Sequence, residues 1–384
     1  MRGTQARIHL SNFEHNIFQI KQHTLAKLCI SVKANAYGHG AVHIAQKAVA
    51  CGVDCLAVAS VQEGAQLRQA GITAPILLFG LTLPDEIPDI VQWNLQPFVC
   101  DMEFIELLEK ALEKNSDFKK AGVKYPVHLK IDTGMGRIGC AERDVSALAL
   151  YISKSPYLHL QGVCTHFAVS DSLESRDIAY TNNQIHTFTK SIDAIKKQAV
   201  EPGIRHCSAS GGILMYPHAH FDMVRAGIIA YGYFPSKALK TALSEGREKL
   251  VKLKPVMELT APVVSIKTLK AGQSVSYGRT WTAQKDTRIA TLPIGYGDGL
   301  PRNAAPGLHV GIGDSSYPVV GRICMDQCMV DIGKNSDVQR WDEALIFGPG
   351  ANSQTAENIA ELVNTIHYEI LTGISARVPR IMVP

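Results

Sequence analysis

CISVKANAYGHGAVHIAQKAVACGVDCLAVAS, residues 29–60, sets the architecture. It opens with a short apolar run, CISVKA (29–34). AVHIAQKAVACG (41–52) follows, with apolar residues at helical spacing and a glycine where a helix would close. A second strand-like run, CLAVAS (55–60), comes next. Strand, helix and strand with a crossover of this length make a parallel βαβ unit.

The unit recurs downstream. SVQEGAQLRQAG (60–71) repeats the helical spacing and the closing glycine. Further strand candidates are ILLFG (76–80), QPFVC (96–100), VHLKID (127–132), LQGVCTH (160–166), IRHCSAS (204–210) and DMVRAGI (222–228). Eight such strands, most separated by enough chain for a helix, predict an α/β fold with an N-terminal eight-stranded (β/α)8 TIM-like barrel, not a short doubly wound sheet. Upstream, Ser11-Asn-Phe-Glu14 reads as a capping box opening a helix over 12–25, and ARIHL (6–10) as a lone strand that belongs elsewhere. From about residue 245 the texture changes. PVMELTAPVVSIKTL (255–269), RIATLPIGYG (288–297), SYPVVGRICMDQCMVDI (316–332) and ALIFG (344–348) alternate between Gly/Pro turns, which predicts a mainly antiparallel β C-terminal domain. One helix is expected within it, over 355–373 and stopping at Gly373.

At 384 residues the chain is long for a single core, which fits two domains. A net charge of +4, with no basic block, points to neither nucleic acid nor a membrane surface as partner. The N-terminus lacks the apolar core of a secretory signal, and no apolar run approaches the roughly 18 residues of a membrane span. Nine cysteines, an odd number, include Cys29, Cys55, Cys100 and Cys164 inside apolar runs. That is the pattern of reduced thiols in a cytoplasmic protein. Cys324 and Cys328 lack zinc spacing and a second pair, so no metal is expected.

In such a barrel the reactive groups lie at the C-terminal ends of the strands. The first ends in Lys33, a costly position unless the amine is paired or neutralised as an imine; a lysine snorkelling to solvent is the plain alternative. The fifth ends in Lys130-Ile-Asp132, followed by a G-x-G-x-x-G (134–139) with Arg137 inside it. A dinucleotide site is disfavoured there, because no acidic residue follows about 20 positions on. His166 closes the sixth strand and is equally compatible with a core histidine. Ser208-Ala-Ser210-Gly-Gly and Arg225-Ala-Gly227-Ile228 put small residues after strands seven and eight, as a phosphate site requires. A phosphorylated aldehyde held as a Schiff base accounts for these groups together.

VKANAYGHG (32–40), HLKIDTGMGRIG (128–139), MVRAGIIAYG (223–232), VSYGRTW (275–281), GYGDGL (295–300), GRICMDQ (321–327) and HYEI…RVPR (367–380) closely resemble, in order, the motifs of the alanine racemases. The resemblance implies a barrel over 12–244 and a β-rich domain of 1–11 plus 245–384. It implies pyridoxal 5'-phosphate attached to Lys33, with Lys33 and Tyr277 as catalytic bases on opposite faces of the substrate. Tyr37, Ser210, Gly227, Ile228 and Tyr368 match the phosphate contacts. Arg225 matches the arginine facing the ring nitrogen, and His166 the histidine orienting it and Tyr277. Arg137 and Met325 match residues near the substrate carboxylate, Tyr296 a tyrosine at the substrate entrance, and Lys130 a lysine carbamylated in some members. Alanine is the implied small-molecule substrate, a homodimer with shared sites the implied assembly, and D-alanine for peptidoglycan the implied product. The family commonly has asparagine before the serine at 210, where this chain has Ala209.

Inverting an α-carbon needs an acid/base on each face, so one lysine is insufficient. Arginine offers only donors and does not readily release a proton, which leaves the ring nitrogen largely unprotonated and suppresses transamination. The same feature argues against a decarboxylase on this fold. A non-catalytic cofactor-binding protein would need neither the second domain nor Tyr277. A serine or broader-specificity racemase stays open, since apolar pockets discriminate poorly against an added hydroxyl.

Overall fold

The computed structural model of the chain describes residues 3–384 apart from 117, 119–121, 247–250 and 351. Two compact units emerge, one of Glu14–Ala36 and Ala41–Leu253, the other of Met1–Phe13, Tyr37–Gly40 and Lys254–Pro384. All nine cysteines are free thiols. Among the described residues no helix is long and apolar enough to cross a membrane.

After β1 (Gln5–His9) and a helix over Leu10–His23 come the eight barrel strands. These are β2 (Lys27–Ser31), β3 (Cys55–Val58), β4 (Ile76–Leu78), β5 (Gln96–Val99), β6 (Tyr125–Lys130), β7 (Leu158–Cys164), β8 (Ile204–His206) and β9 (Met223–Ala226). They run parallel in sequence order, and β9 returns beside β2. The Asp222 N–H donates to the Arg205 carbonyl at 3.1 Å and the Arg225 N–H to the Ser208 carbonyl at 2.9 Å, carrying the ring across from β8 to β9. Inside, Cys29, Cys55, Ala57, Leu77, Phe98, Cys164 and Met223 pack as one cluster. Small sulfur-bearing and branched side chains fill the taper, so the barrel is a solid core and not a pore.

Helix ends obey local chemistry. The helix Val61–Gln69 starts on a Ser60/Glu63 capping box. It closes through Gly71 (φ 82°), with Gly71 N–H bonded to the Arg68 carbonyl and Ile72 N–H to that of Leu67. Ala41–Ala50 ends through Gly52 by the same paired bonds.

In the second unit the strands are β10 (Met257–Pro262), β11 (Ser265–Leu269), β12 (Ser274–Val275), β13 (Trp281–Thr282), β14 (Thr287–Leu292), β15 (His309–Ile312), β16 (Ser315–Val320), β17 (Cys328–Asp331), β18 (Glu343–Phe347) and β19 (Arg380–Val383). Nine strands make one sheet in the order β11-β14-β17-β16-β15-β18-β10-β1-β19, and β12 and β13 form a separate hairpin. The sheet is antiparallel except where β1 lies parallel to β19.

Two expectations are corrected. Helix Leu10–His23 has already begun at Ser11, so this serine cannot cap it; its hydroxyl donates to the Pro384 carbonyl at 2.9 Å, and Glu14 pairs with Lys47 at 2.6 Å. The span 355–373 holds two helices, Ala356–Leu362 and His367–Gly373. The first ends in a left-handed cap at Asn364 (φ 57°), with Asn364 N–H on the Glu361 carbonyl and Thr365 N–H on that of Ala360. Asparagine is one of the few residues besides glycine that tolerate this conformation.

Candidate active site

The first barrel strand stops at Ser31, short of the expected Ala34, and Lys33 opens a turn of unusual hand. Ala34, Asn35, Ala36 and Tyr37 all have φ between 51° and 54°. A run of L-residues in this region costs about 1–2 kcal/mol per residue. Fixed partners hold it. Glu63 Oε1 accepts from the Ala34 N–H at 2.6 Å, Asn35 Oδ1 accepts from the Ala41 N–H at 2.9 Å, and the Ala36 N–H reaches the Val32 carbonyl at 2.8 Å. The turn reverses the chain directly after Lys33 and leaves the lysine half-buried at the barrel rim. Burial, then repulsion from Arg137, pulls its ammonium pKa down, against a smaller pull upward from Glu63.

Arg225, on β9, is 5% exposed yet surrounded by acceptors. Its Nη1 donates to His206 Nδ1 at 2.9 Å. Its Nη2 donates to the carbonyls of Thr165 at 2.9 Å and Cys207 at 3.1 Å, and to His166 Nδ1 at 3.3 Å. Arginine only donates, so both Nδ1 atoms must accept, and each neutral ring carries its proton on Nε2. His206 Nε2 then donates to His128 Nδ1 at 3.0 Å, and His128 Nε2 to Gln96 Oε1 at 3.2 Å. Burial comes first and Arg225 second in depressing all three imidazoles: His128 to about 3, and His166 and His206 well below the usual value. The relay is therefore uncharged around one fixed cation, and every proton in it has one place to be.

Lys130 ends β6 at 3% exposure. Burial lowers its pKa to about 8; Cys164 opposes this, and Arg225 and Arg137 add to it. A substantial fraction of neutral amine near physiological pH follows. Beyond it, the Asp132 carboxylate accepts from the N–H groups of Gly134 (2.9 Å) and Gly136 (3.0 Å), folding the loop so that Cys140 N–H returns to the Lys130 carbonyl at 2.9 Å. A Cβ on Gly139 would lie 2.5 Å from Asp132 N. The glycines thus serve a tight loop that presents exposed Arg137, not a dinucleotide turn.

After β8 and β9, the chain enters short helical turns at Ser210–Met215 and Ile228–Tyr231. The Gly227 N–H donates to Ser210 Oγ at 3.1 Å, tying the two starts together. First-turn N–H groups have no acceptor within their own helix. Ala209 is the residue before this turn and offers no side-chain cap. First-turn amides and a hydroxyl for a phosphate, a buried donor for a ring nitrogen and a lysine of lowered pKa for an aldehyde form a donor set that fits pyridoxal phosphate.

The barrel unit thus brings together Lys33, Lys130, Arg137, His166, Ser210, Arg225, Gly227 and Ile228. Tyr37, Tyr277, Tyr296, Met325 and Tyr368 belong to the other unit. There Tyr37 and Tyr368 face each other at 6.1 Å between ring centroids. Gly38 is required beside them, since a Cβ would meet the Leu371 carbonyl oxygen at 2.2 Å. Tyr296 and Gly297 N–H groups bond the carbonyls of Cys324 and Met325 at 3.0 and 2.9 Å, which joins the GYGDGL and GRICMDQ motifs. Asp298, 2% exposed, locks this turn by accepting from the Gly295 N–H at 3.0 Å. Tyr277 stands 71% exposed at the tip of the β12–β13 hairpin.

Gln96, His128, His206 and Glu63 escape the sequence reading. The first three are polar residues within apolar strand runs, a signal that marks an inward-facing polar side chain without naming its partner.

Family models described as alanine racemase, N-terminal domain and C-terminal domain match residues 8–235 and 256–382. The alanine racemase of Treponema denticola is 50% identical, over 100% of this chain and 99% of its own length. That of Treponema pallidum is 44% identical with both chains fully covered. Among solved structures, the alanine racemase of Clostridium difficile superposes with a TM-score of 0.90 at 37% identity, covering 100% of this chain and 96% of that one.

Proposed function

The chain belongs to the alanine racemase family, and from that premise we propose that Lys33 and Tyr277 are the two bases between which the α-proton of alanine is removed and returned. The enzyme interconverts L- and D-alanine with pyridoxal phosphate as cofactor. When bound, the cofactor supplies an electron sink for the charge left at the α-carbon. Everything else falls to the residues of the chain.

Lys33 Nζ carries the cofactor between turnovers and exchanges a proton with one face of the α-carbon. The lowered pKa of this amine supports both roles, because only the neutral amine is a nucleophile or a base. Tyr277 Oη serves the opposite face. Arg225 holds the ring nitrogen with a donor that does not release its proton, and the acceptors around it leave the guanidinium one orientation. His166 Nε2–H is the donor left to orient Tyr277. Arg137 and Met325 receive the substrate carboxylate, and Tyr296 narrows the entrance to the size of a methyl group. Ser210, Gly227, Ile228, Tyr37 and Tyr368 hold the phosphate. Lys130, with its pKa near 8, is the amine that carbon dioxide would carbamylate, giving an anion beside Arg137.

The observation that carries this reading is a half-buried lysine just past the end of one barrel strand and, on the strand paired with it, a donor-only arginine whose hydrogen-bond partners are all neutral. We read the working form as a cytoplasmic homodimer in which Tyr277 reaches the barrel of the partner subunit, and D-alanine for peptidoglycan as its output. Mixing inactive Lys33→Ala and Tyr277→Phe chains tests both ideas. Partial recovery of activity is expected, and no recovery in verified mixed dimers counts against shared sites. L-alanine and L-serine assayed side by side set the specificity; equal rates would overturn alanine as the preferred substrate.

A further inference from the structure

We propose that Ser276 is a positioning residue for Tyr277, its hydroxyl clamping the hairpin tip in the one backbone conformation that aims the phenol. The inference rests on Tyr277 being a base. β12 and β13 pair Ser274 with Thr282 and Val275 with Trp281, leaving five residues, 276–280, to turn the chain. Ser276 has φ 66° and ψ −178°, a region essentially reserved for glycine. Gly278 (φ 71°) and Arg279 (φ 49°) also lie at positive φ. Only one of the three is a glycine.

Fixed contacts hold Ser276 there. Its Oγ donates to the Arg322 carbonyl at 2.6 Å. Cys324 Sγ lies 3.6 Å from the same oxygen. Gly321 makes room for this approach: a Cβ on it would sit 2.8 Å from Ser276 Cβ and 3.0 Å from the Val275 carbonyl oxygen. The Arg322 guanidinium covers Gly278 so closely that a Cβ there would meet its Cζ at 3.2 Å. The Arg279 N–H closes the turn on the Ser276 carbonyl at 3.2 Å.

A glycine would adopt this backbone without steric cost, so a mere turn-former gains nothing by being serine. The gain is the bond to Arg322. That bond ties the tip to the segment 321–325, the same segment whose Cys324 and Met325 carbonyls hold Tyr296 and Gly297. One short stretch of chain thereby fixes Tyr277, Tyr296 and Met325 relative to one another, and Ser276 is the link to the tyrosine that transfers the proton.

Ser276→Gly in the intact holoenzyme tests the clamp, since glycine lets the turn close while removing the hydroxyl. Misplacing a reacting group by about 1 Å costs on the order of 100-fold, so kcat should fall about 10- to 100-fold with the bound-cofactor spectrum unchanged. Enantiomers are equal in energy, so kcat/KM must fall alike in both directions. The signature is the primary isotope effect with α-deuterated alanine. It should rise only in the direction in which the tyrosine removes the deuteron. A 3-fluorotyrosine at 277 should give one 19F resonance in the native holoenzyme and a broadened or split one in Ser276→Gly. Ser276→Ala, which keeps the Cβ without the clamp, should lose more activity than Ser276→Gly. Symmetric isotope effects, or an unchanged fluorine line, overturn the positioning role. Full activity in Tyr277→Phe sinks the base assignment instead, which keeps the two failures apart.

Discussion

Around Arg225 every donor and acceptor is enclosed and its proton position fixed, whereas Tyr277 stands 71% exposed on a five-residue hairpin tip. The barrel achieves order by saturation: a single buried cation is offered acceptors from Thr165, Cys207, His166 and His206, so rotation in any direction loses a bond. The hairpin has no such enclosure and relies on one clamp and a backbone held against its preference. Two regions that we propose serve one reaction are thus built by different physics. The buried one is tuned by desolvation; the exposed one depends on whatever surrounds it in the assembled enzyme.

The contrast should show first in activity. On the roles proposed for it, Lys33 is both a base and the cofactor's anchor, so Lys33→Ala should lower activity by at least about 10⁴-fold. On the same proposal Tyr277→Phe removes only the second base and should cost about 10²–10⁴-fold while leaving the cofactor's absorbance in place. Loss of cofactor from Tyr277→Phe would break the comparison. The next effect is on stability against pH. His128, His166 and His206 stay neutral when folded but take up protons near pH 6.5 when unfolded, so stability is lost as pH falls below about 6.5. Each contributes up to about 1.4 kcal/mol per pH unit, so urea unfolding at pH 5 should give a value roughly 6 kcal/mol below that at pH 7. His128→Asn should flatten this slope by about a third, and an unchanged slope would mean that the ring is solvated. The smallest effect concerns the left-handed turn. Ala34→Gly in an ordinary helix costs about 1 kcal/mol, but at φ 51° it should stabilise by about 0.5–1 kcal/mol, measured by the same unfolding curves. A loss there would show that the turn is not intrinsically strained.

The eight barrel strands were legible because strands covered on both faces read as apolar runs, and the lysines, His166 and Arg225 were legible because they interrupt those runs at the ends. The turn after Lys33 was not. Ala34-Asn35-Ala36-Tyr37 contains no glycine and would form a right-handed helix if left to itself; Glu63, distant in sequence, imposes the other hand. The histidine relay was hidden for a related reason. His128 and His206 each look like an ordinary core histidine until the fold places Nδ1 of one against Nε2 of the other. Ser11 misled because a capping sequence is only a cap if the helix has not already begun. Asn364 was a left-handed residue concealed inside an unbroken helical pattern.

β1 sits between β10 and β19, strands that follow it by most of the chain. During synthesis at about 5–20 residues per second, β1 waits roughly 12–50 s for β10 to be made, and longer for β19. Ala6 and Ile8, wholly buried in the finished sheet, lack both flanking strands throughout that wait. At five residues the waiting strand offers a neighbouring chain only a short row of unpaired backbone groups, which limits its capacity to template aggregation.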